Sequence, residues 1–119
     1  MTEQQFITTT YTNEDQFTAA TNRYINNNYP ALRNMYFHVA NESATSNAMR
    51  IKLHSLGVLG GVPDFCFIYP KLWFLELKMS NGKLSPKQKA LHELWISKNI
   101  HIEVAYTPQQ VIYTLQKNI

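Results

Sequence analysis

The chain has 119 residues, of which 45% are hydrophobic, a formal charge of +3 and one cysteine. That is apolar material for a single core and hardly for two, and the lone Cys66, set in an apolar run, excludes an internal disulfide and fits a reducing compartment. No stretch approaches the roughly 18 apolar residues of a membrane span, and the polar start Met1-Thr2-Glu3-Gln4-Gln5 lacks the basic and apolar regions of a signal peptide, so a soluble cytoplasmic protein is expected.

Residues 1–12 are rich in Thr and Gln. Phe6-Ile7-Thr8-Thr9-Thr10-Tyr11 has β-branched and aromatic character without clean alternation, which suggests an edge strand or a loose arm ahead of one domain over 13–119. A helix is expected from Asn13, with Thr12 as cap, Phe17, Ala20, Tyr24 and Ile25 on one face, and an end near Asn26-Asn27-Asn28 before Pro30. Tyr36 to Ala40 reads as a short strand. Ser43 then caps a second helix through Ser55, with Ala44, Ala48, Ile51 and Leu56 on its apolar side and Gly57 as its stop.

Gly57, Gly60 and Gly61 make the next segment a loop suited to close approach of its backbone to a ligand, although it has neither P-loop nor GxGxxG spacing. It ends in Pro63-Asp64 and leads into Phe65-Cys66-Phe67-Ile68; a second apolar run, Trp73-Phe74-Leu75, ends in Glu76-Leu77-Lys78. A three-residue loop at Tyr69-Pro70-Lys71 would fold the two runs into a hairpin with Ile68 opposite Leu72 and Asp64 opposite Glu76. Strand side chains alternate, so Glu76 and Lys78 share a face.

Ser85-Pro86-Lys87-Gln88 carries a cap, a proline at the first helical position and a glutamine at the third, followed by Leu91, Leu94 and Trp95 as an expected core face. Ile100 to Tyr106 supplies another strand, and Thr107-Pro108-Gln109-Gln110 opens a final helix with Val111, Ile112 and Leu115 inward. The sum is an α/β layout: a small mixed β-sheet flanked by helices.

Two carboxylates held together at strand ends repel unless a cation lies between them. Mg²⁺ accepts one or two carboxylates together with waters and substrate phosphate, so Asp64, Glu76 and the Leu77 carbonyl could form part of its octahedron, with Lys78 beside the phosphate to orient or deprotonate water. The charge distribution favours a polyanionic partner. Residues 1–60 balance four Lys/Arg against four acids, whereas residues 61–119 hold seven lysines against four, with Lys78, Lys83, Lys87 and Lys89 close to the acidic pair.

These residues resemble the VRR-Nuc branch of the PD-(D/E)xK nucleases. Gly61-Val62-Pro63-Asp64 matches the GxPD signature, Glu76-Leu77-Lys78 the ExK signature, and Gly82-Lys83-Leu84-Ser85-Pro86-Lys87-Gln88 the trailing G-x-L-S-x-x-Q segment. The resemblance implies a restriction-endonuclease-like core and Mg²⁺- or Mn²⁺-dependent hydrolysis of DNA phosphodiesters in phage or bacterial replication and repair. Stand-alone members look like homodimers that cut four-way (Holliday) junctions. It further implies that Glu14 is a metal-side acid, with Asp15 competing for that role, that Gln88 completes the catalytic set, and that Asn41 is a polar site residue.

Each of these has a plainer reading. Gln88 is fully explained as a capping-box residue, Glu14 as an acid favoured by the helix dipole, and Asn41 as a turn residue. His38, His54, His92 and His101 lack paired zinc spacing and read as surface or partly buried residues; Trp73, Phe74, Trp95 and Tyr106 read as core. Phosphate contacts from Lys83, Lys87 and Lys89, with Arg50 and Lys52, would make DNA binding salt-dependent and largely indifferent to sequence. Nicking or sequence-preferring cleavage, or an inactive DNA-binding module, are the alternatives.

Overall fold

A computed structural model of the protein describes residues 1–39 and 46–119. The elements are α1 (Glu3–Thr8), α2 (Glu14–Asn28), a 3₁₀ turn (Pro30–Leu32), β1 (Tyr36–His38), α3 (Asn47–Ser55), β2 (Phe65–Phe67), β3 (Trp73–Leu77), α4 (Pro86–Ser97), β4 (Ile102–Ala105) and α5 (Pro108–Asn118). They form the expected α/β arrangement around one four-stranded mixed sheet, in the order β1-β2-β3-β4. The first three strands are antiparallel and β4 runs parallel to β3, the crossover between them being α4.

The hairpin has the expected register, although its ladder ends at Phe67 and Trp73, one pair short of Ile68 and Leu72. Phe65 pairs with Leu75, Cys66 with Phe74 and Phe67 with Trp73, so continuing the ladder by one residue places Asp64 across from Glu76. Alternation along β3 then divides the molecule. Trp73, Leu75 and Leu77 are completely buried on one face, together with Phe65 and Phe67, beneath Phe6 of α1, Phe17 and Ile25 of α2, and Val111 and Leu115 of α5. Phe67 and Trp73 stack with ring centroids 4.2 Å apart. On the opposite face, Phe74 meets Trp95 of α4, and Glu76 and Lys78 lie beyond it along the strand.

The N-terminal segment is a helix, not an edge strand or a loose arm. Thr2 and Gln5 form a reciprocal capping box, and Phe6 enters the main core, stacking on Tyr24 at 4.7 Å. The Thr8 and Thr9 hydroxyls bond back to the Gln4 and Gln5 carbonyls, which accommodates β-branched residues at the helix end. For α2 the cap is Asn13, one residue later than expected; its carboxamide accepts the Gln16 N–H while the Thr12 N–H donates to the Gln16 side chain.

α3 departs further from expectation. It is capped by Ser46 and buries no residue: Ile51 and Leu56 are 71% and 68% exposed. Its periodicity is that of an amphipathic helix, yet α1, α2 and α5 already cover the core face of the sheet. Ser43, Ala44 and Asn41 lie outside the described residues. In α4, Leu91 and Trp95 are half-buried on the expected face, but Leu94 is exposed and the buried residue is His92.

Candidate active site

Three segments build the site: the loop before β2, the end of β3 and the start of α4. Of the loop's glycines, Gly61 serves packing against α4. Gly61 has φ +85°, and a Cβ there would stand 3.2 Å from the Lys87 carbonyl oxygen and 3.3 Å from the Gln88 Cα. Only glycine lets the loop press so closely on the first turn of α4. Pro63 is buried behind it, and Asp64 follows at the mouth of β2.

Asp64 has a structural duty. Its Oδ2 accepts the Leu77 N–H at 2.7 Å, so the side chain supplies a rung just before the first residue of β2. A strand residue presents its N–H and C=O to the same edge, and the Leu77 carbonyl therefore lies on the Asp64 side of β3. Glu76 is 2% exposed. Its Oε1 accepts a hydrogen bond from Gln88 Nε2 at 3.1 Å, while its Oε2 is buried with no protein partner. Lys78 Nζ stands 4.0 Å from Glu76 Oε1 and 4.0 Å from Oε1 of Glu14 in the first turn of α2.

Gln88 caps its helix and reaches the Glu76 carboxylate at the same time. Its Oε1 accepts the Ser85 N–H at 2.9 Å, closing the capping box, and its Nε2 reaches Glu76. The cap therefore fixes the rotamer that holds the carboxylate.

Burial raises the pKa of both acids. For Glu76 burial is the largest cause and the neighbouring Asp64 charge the next, with Lys78 opposing them. Asp64 is also raised, by burial first, against the lowering effect of the Leu77 N–H. An orphaned buried oxygen beside a second carboxylate is a donor set that suits a divalent cation, and Asp64, Glu76 and the Leu77 carbonyl are the groups that would hold it. Among the described residues no cluster of three His, Cys, Asp or Glu side chains forms a metal cage. Two carboxylates with one backbone oxygen match Mg²⁺, which retains waters, better than an ion needing a full protein shell. Glu14, with its side chain 47% exposed, stands on the Lys78 side; Asp15, the competing acid, is exposed on the next position of α2.

Lys83 and Lys89 are exposed around the start of α4, and the Lys87 side chain lies over Gly60, whose Cβ would meet its Nζ at 2.6 Å. Arg50 and Lys52 are exposed on α3. The sequence reading missed His92. It is 4% exposed and interacts with the Gly61 backbone. The available signal was its position four residues after Gln88, on the same helix face.

No protein-family model matches the chain, and no curated protein does. Among solved structures it is similar to a VRR_NUC domain protein, at 21% identity and a TM-score of 0.67, over 93% of this chain and 90% of that one. No helix among the described residues is long and apolar enough to cross a membrane. Over nearly all of its length, then, the chain has the fold of a VRR_NUC domain protein.

Proposed function

We propose that the protein is a nuclease of the VRR-Nuc type, a Mg²⁺- or Mn²⁺-dependent endonuclease that hydrolyses phosphodiester bonds in branched DNA. The single observation that carries this reading is the Asp64, Glu76 and Lys78 constellation at the end of β3: a half-buried and a buried carboxylate, the latter with an unpartnered oxygen, and an ammonium 4.0 Å from Glu76. The fold shared with a VRR_NUC domain protein supports it.

When bound, the cation would polarise the phosphoryl oxygens and acidify a water. The residues of the chain do the rest. Asp64 and Glu76 would hold the cation, assisted by the Leu77 carbonyl, with Glu14 a further acid on the Lys78 side. Lys78 Nζ orients the attacking water, takes part in its deprotonation and offsets the charge that builds on the phosphate. Gln88 keeps Glu76 in place from the helix cap. Lys83, Lys87 and Lys89, with Arg50 and Lys52, meet the DNA backbone.

Digesting four-way junction, flap, nicked and linear duplex DNA side by side, with and without Mg²⁺, tests this. The junction should be cut fastest and only with metal. Equal cutting of linear duplex would favour a nicking or sequence-preferring enzyme, and no cutting of any substrate an inactive DNA-binding module.

Symmetric cleavage of a junction requires two sites, and a homodimer is part of this proposal. Met49, Ile51, Leu56, Val58 and Leu59 are exposed on α3 and the turn after it, offering an apolar surface to a second copy. Sedimentation should show a dimer that Ile51→Lys converts to monomer. A wild-type monomer, with or without junction DNA, would remove the dimer from the proposal.

A further inference from the structure

The carboxyl ends of the parallel strands β3 and β4 border a cleft that none of the site residues occupies. Its cavity measures about 180 Å³ and is lined by Tyr11 and Phe17, by Met79 and Ser80 after β3, and by Tyr106 and Gln109 around the start of α5. Phe17 is buried and stacks on the half-buried Tyr11 with ring centroids 5.6 Å apart, while the Tyr11 hydroxyl is committed to the Phe6 carbonyl at 3.0 Å. Ser80 and Gln109 are exposed, and among the described residues their side chains have no hydrogen-bonding partner. The cleft thus has an aromatic wall and a polar mouth with free donors and acceptors.

Three segments connect it to the active site. Met79 and Ser80 follow Lys78 directly along the chain. The Lys78 N–H donates to the Ala105 carbonyl at 3.0 Å, and Tyr106 is the next residue. Glu14, whose carboxylate stands 4.0 Å from Lys78 Nζ, lies one helical turn before Phe17 on α2. This is where open α/β sheets receive ligands, outside the carboxyl ends of their strands.

The lining also restricts what can enter. No charged side chain contributes to it among the described residues, so it suits neither a phosphate nor a cation. Its volume is well below the roughly 300–1,000 Å³ of pockets that enclose drug-sized ligands, which leaves room for a single flat ring system. A neutral ring with a polar edge, beside a group that acts on a phosphodiester, is a nucleobase.

We infer that the cleft is a base pocket, which takes an unpaired nucleobase next to the phosphate being cut. The inference rests on the nuclease reading and adds to it a cause for preferring branched DNA. Enzymes that draw a base out of the stack hold it against aromatic or apolar side chains and read its edge by hydrogen bonds, at least cost where the base is already unpaired. Here the ring would lie along Tyr11 and Phe17, with its edge toward Ser80 and Gln109. A regular duplex must break a pair to fill the pocket, and a branch point need not.

The test begins without metal, so that binding is separated from cleavage. Fluorescence anisotropy in EDTA compares a duplex carrying one unpaired thymidine with the same duplex carrying a tetrahydrofuran abasic residue in its place. A stacked base contributes enough for the wild type to bind the thymidine duplex about 5- to 100-fold more tightly. Ser80→Trp, which sets an indole in the mouth, should reduce that preference to less than about 2-fold. With Mg²⁺, the wild type should cut at a phosphate beside the unpaired thymidine, and the cut should move when the thymidine is moved.

Equal affinity of the wild type for the two duplexes overturns the pocket, as does a preference that Ser80→Trp leaves intact. If Ser80→Trp fails to fold, Gln109→Trp closes the cleft from the α5 side and must remove the preference in the same way. Metal-dependent cleavage with no preference for the base would overturn the pocket and leave the nuclease reading standing. A preference for the base in a protein that cuts no DNA with Mg²⁺ or Mn²⁺ would do the reverse.

Discussion

Lys78→Ala is expected to lower metal-dependent cleavage by at least about 10³-fold while leaving a folded protein that still binds DNA. Loss of a group that orients or deprotonates water removes roughly 10² to 10⁴ in rate, and loss of an electrostatic contact to the transition state removes roughly 10² to 10³; Lys78 stands to do both. The fold should survive because Glu76, left without its ammonium neighbour, can take up a proton. Asp64 needs a more careful choice of variant. Asp64→Ala removes the metal-side carboxylate but also strands the Leu77 N–H, a defect of about 1–3 kcal/mol. Asp64→Asn retains an oxygen acceptor for that N–H, and should be as inactive as Asp64→Ala and more stable. Single-turnover cleavage of junction DNA, with circular dichroism and a DNA-binding isotherm for each variant, checks both. Activity within tenfold of wild type in either Lys78→Ala or Asp64→Asn would sink the site assignment.

The second large effect concerns the metal-free protein. The Glu76 carboxyl has an ordinary value of 4.5 and in the fold is pushed up to about 8, by burial first and the Asp64 charge next. A folded pKa above the unfolded one means that the native state holds the proton more tightly. Stability is therefore greatest below pH 4.5 as far as this group is concerned, and is lost as pH rises through the window up to about 8. Glu76→Gln, which carries the proton's hydrogen-bonding equivalent permanently, should flatten that profile. At pH 8.5 it should be the more stable protein by on the order of 2–4 kcal/mol in the absence of metal, and it should be catalytically dead. Added Mg²⁺ or Mn²⁺ should stabilise the wild type at that pH, by about 2.7 kcal/mol at a hundredfold excess over Kd, and Glu76→Gln hardly at all. Thermal melts from pH 5.5 to 8.5 with and without metal measure this. A flat metal-free profile for the wild type would show that the two carboxyls do not strain each other.

Much of the site was legible because its geometry depends on short-range rules. A three-residue loop fixes a hairpin register, so Asp64 across from Glu76 followed from counting, and alternation placed Glu76 with Lys78. Ser85 to Gln88 announced a helix start, and Gln88 turned out to use its two polar ends for two purposes. What was not legible depended on which surfaces were already occupied. The pattern in α3 specifies an amphipathic helix, but nothing local says that the sheet has no face left for it. In α1 the Thr2 and Gln5 capping box was present in the sequence, yet the run of threonines after Phe6 outweighed it, because β propensity ignores hydroxyls that can bond to the preceding turn. His92 was hidden for a different reason. A histidine in a helix reads as a surface or partly buried residue until the fold closes over it.

The rung that Asp64 supplies to β3 also bears on which ion the pair can hold. Each carboxylate has one oxygen committed to the scaffold, Asp64 Oδ2 to the Leu77 amide and Glu76 Oε1 to the Gln88 carboxamide. The oxygen of each acid without such a bond is the freer one to meet a cation, which favours monodentate binding. Large, loosely coordinated ions such as Ca²⁺ gain from carboxylates that grip with both oxygens, whereas a small octahedral ion is content with single contacts and water at its remaining vertices. The sheet at Asp64 and the helix cap at Glu76, by engaging one oxygen of each carboxylate, would favour a small ion over a large one.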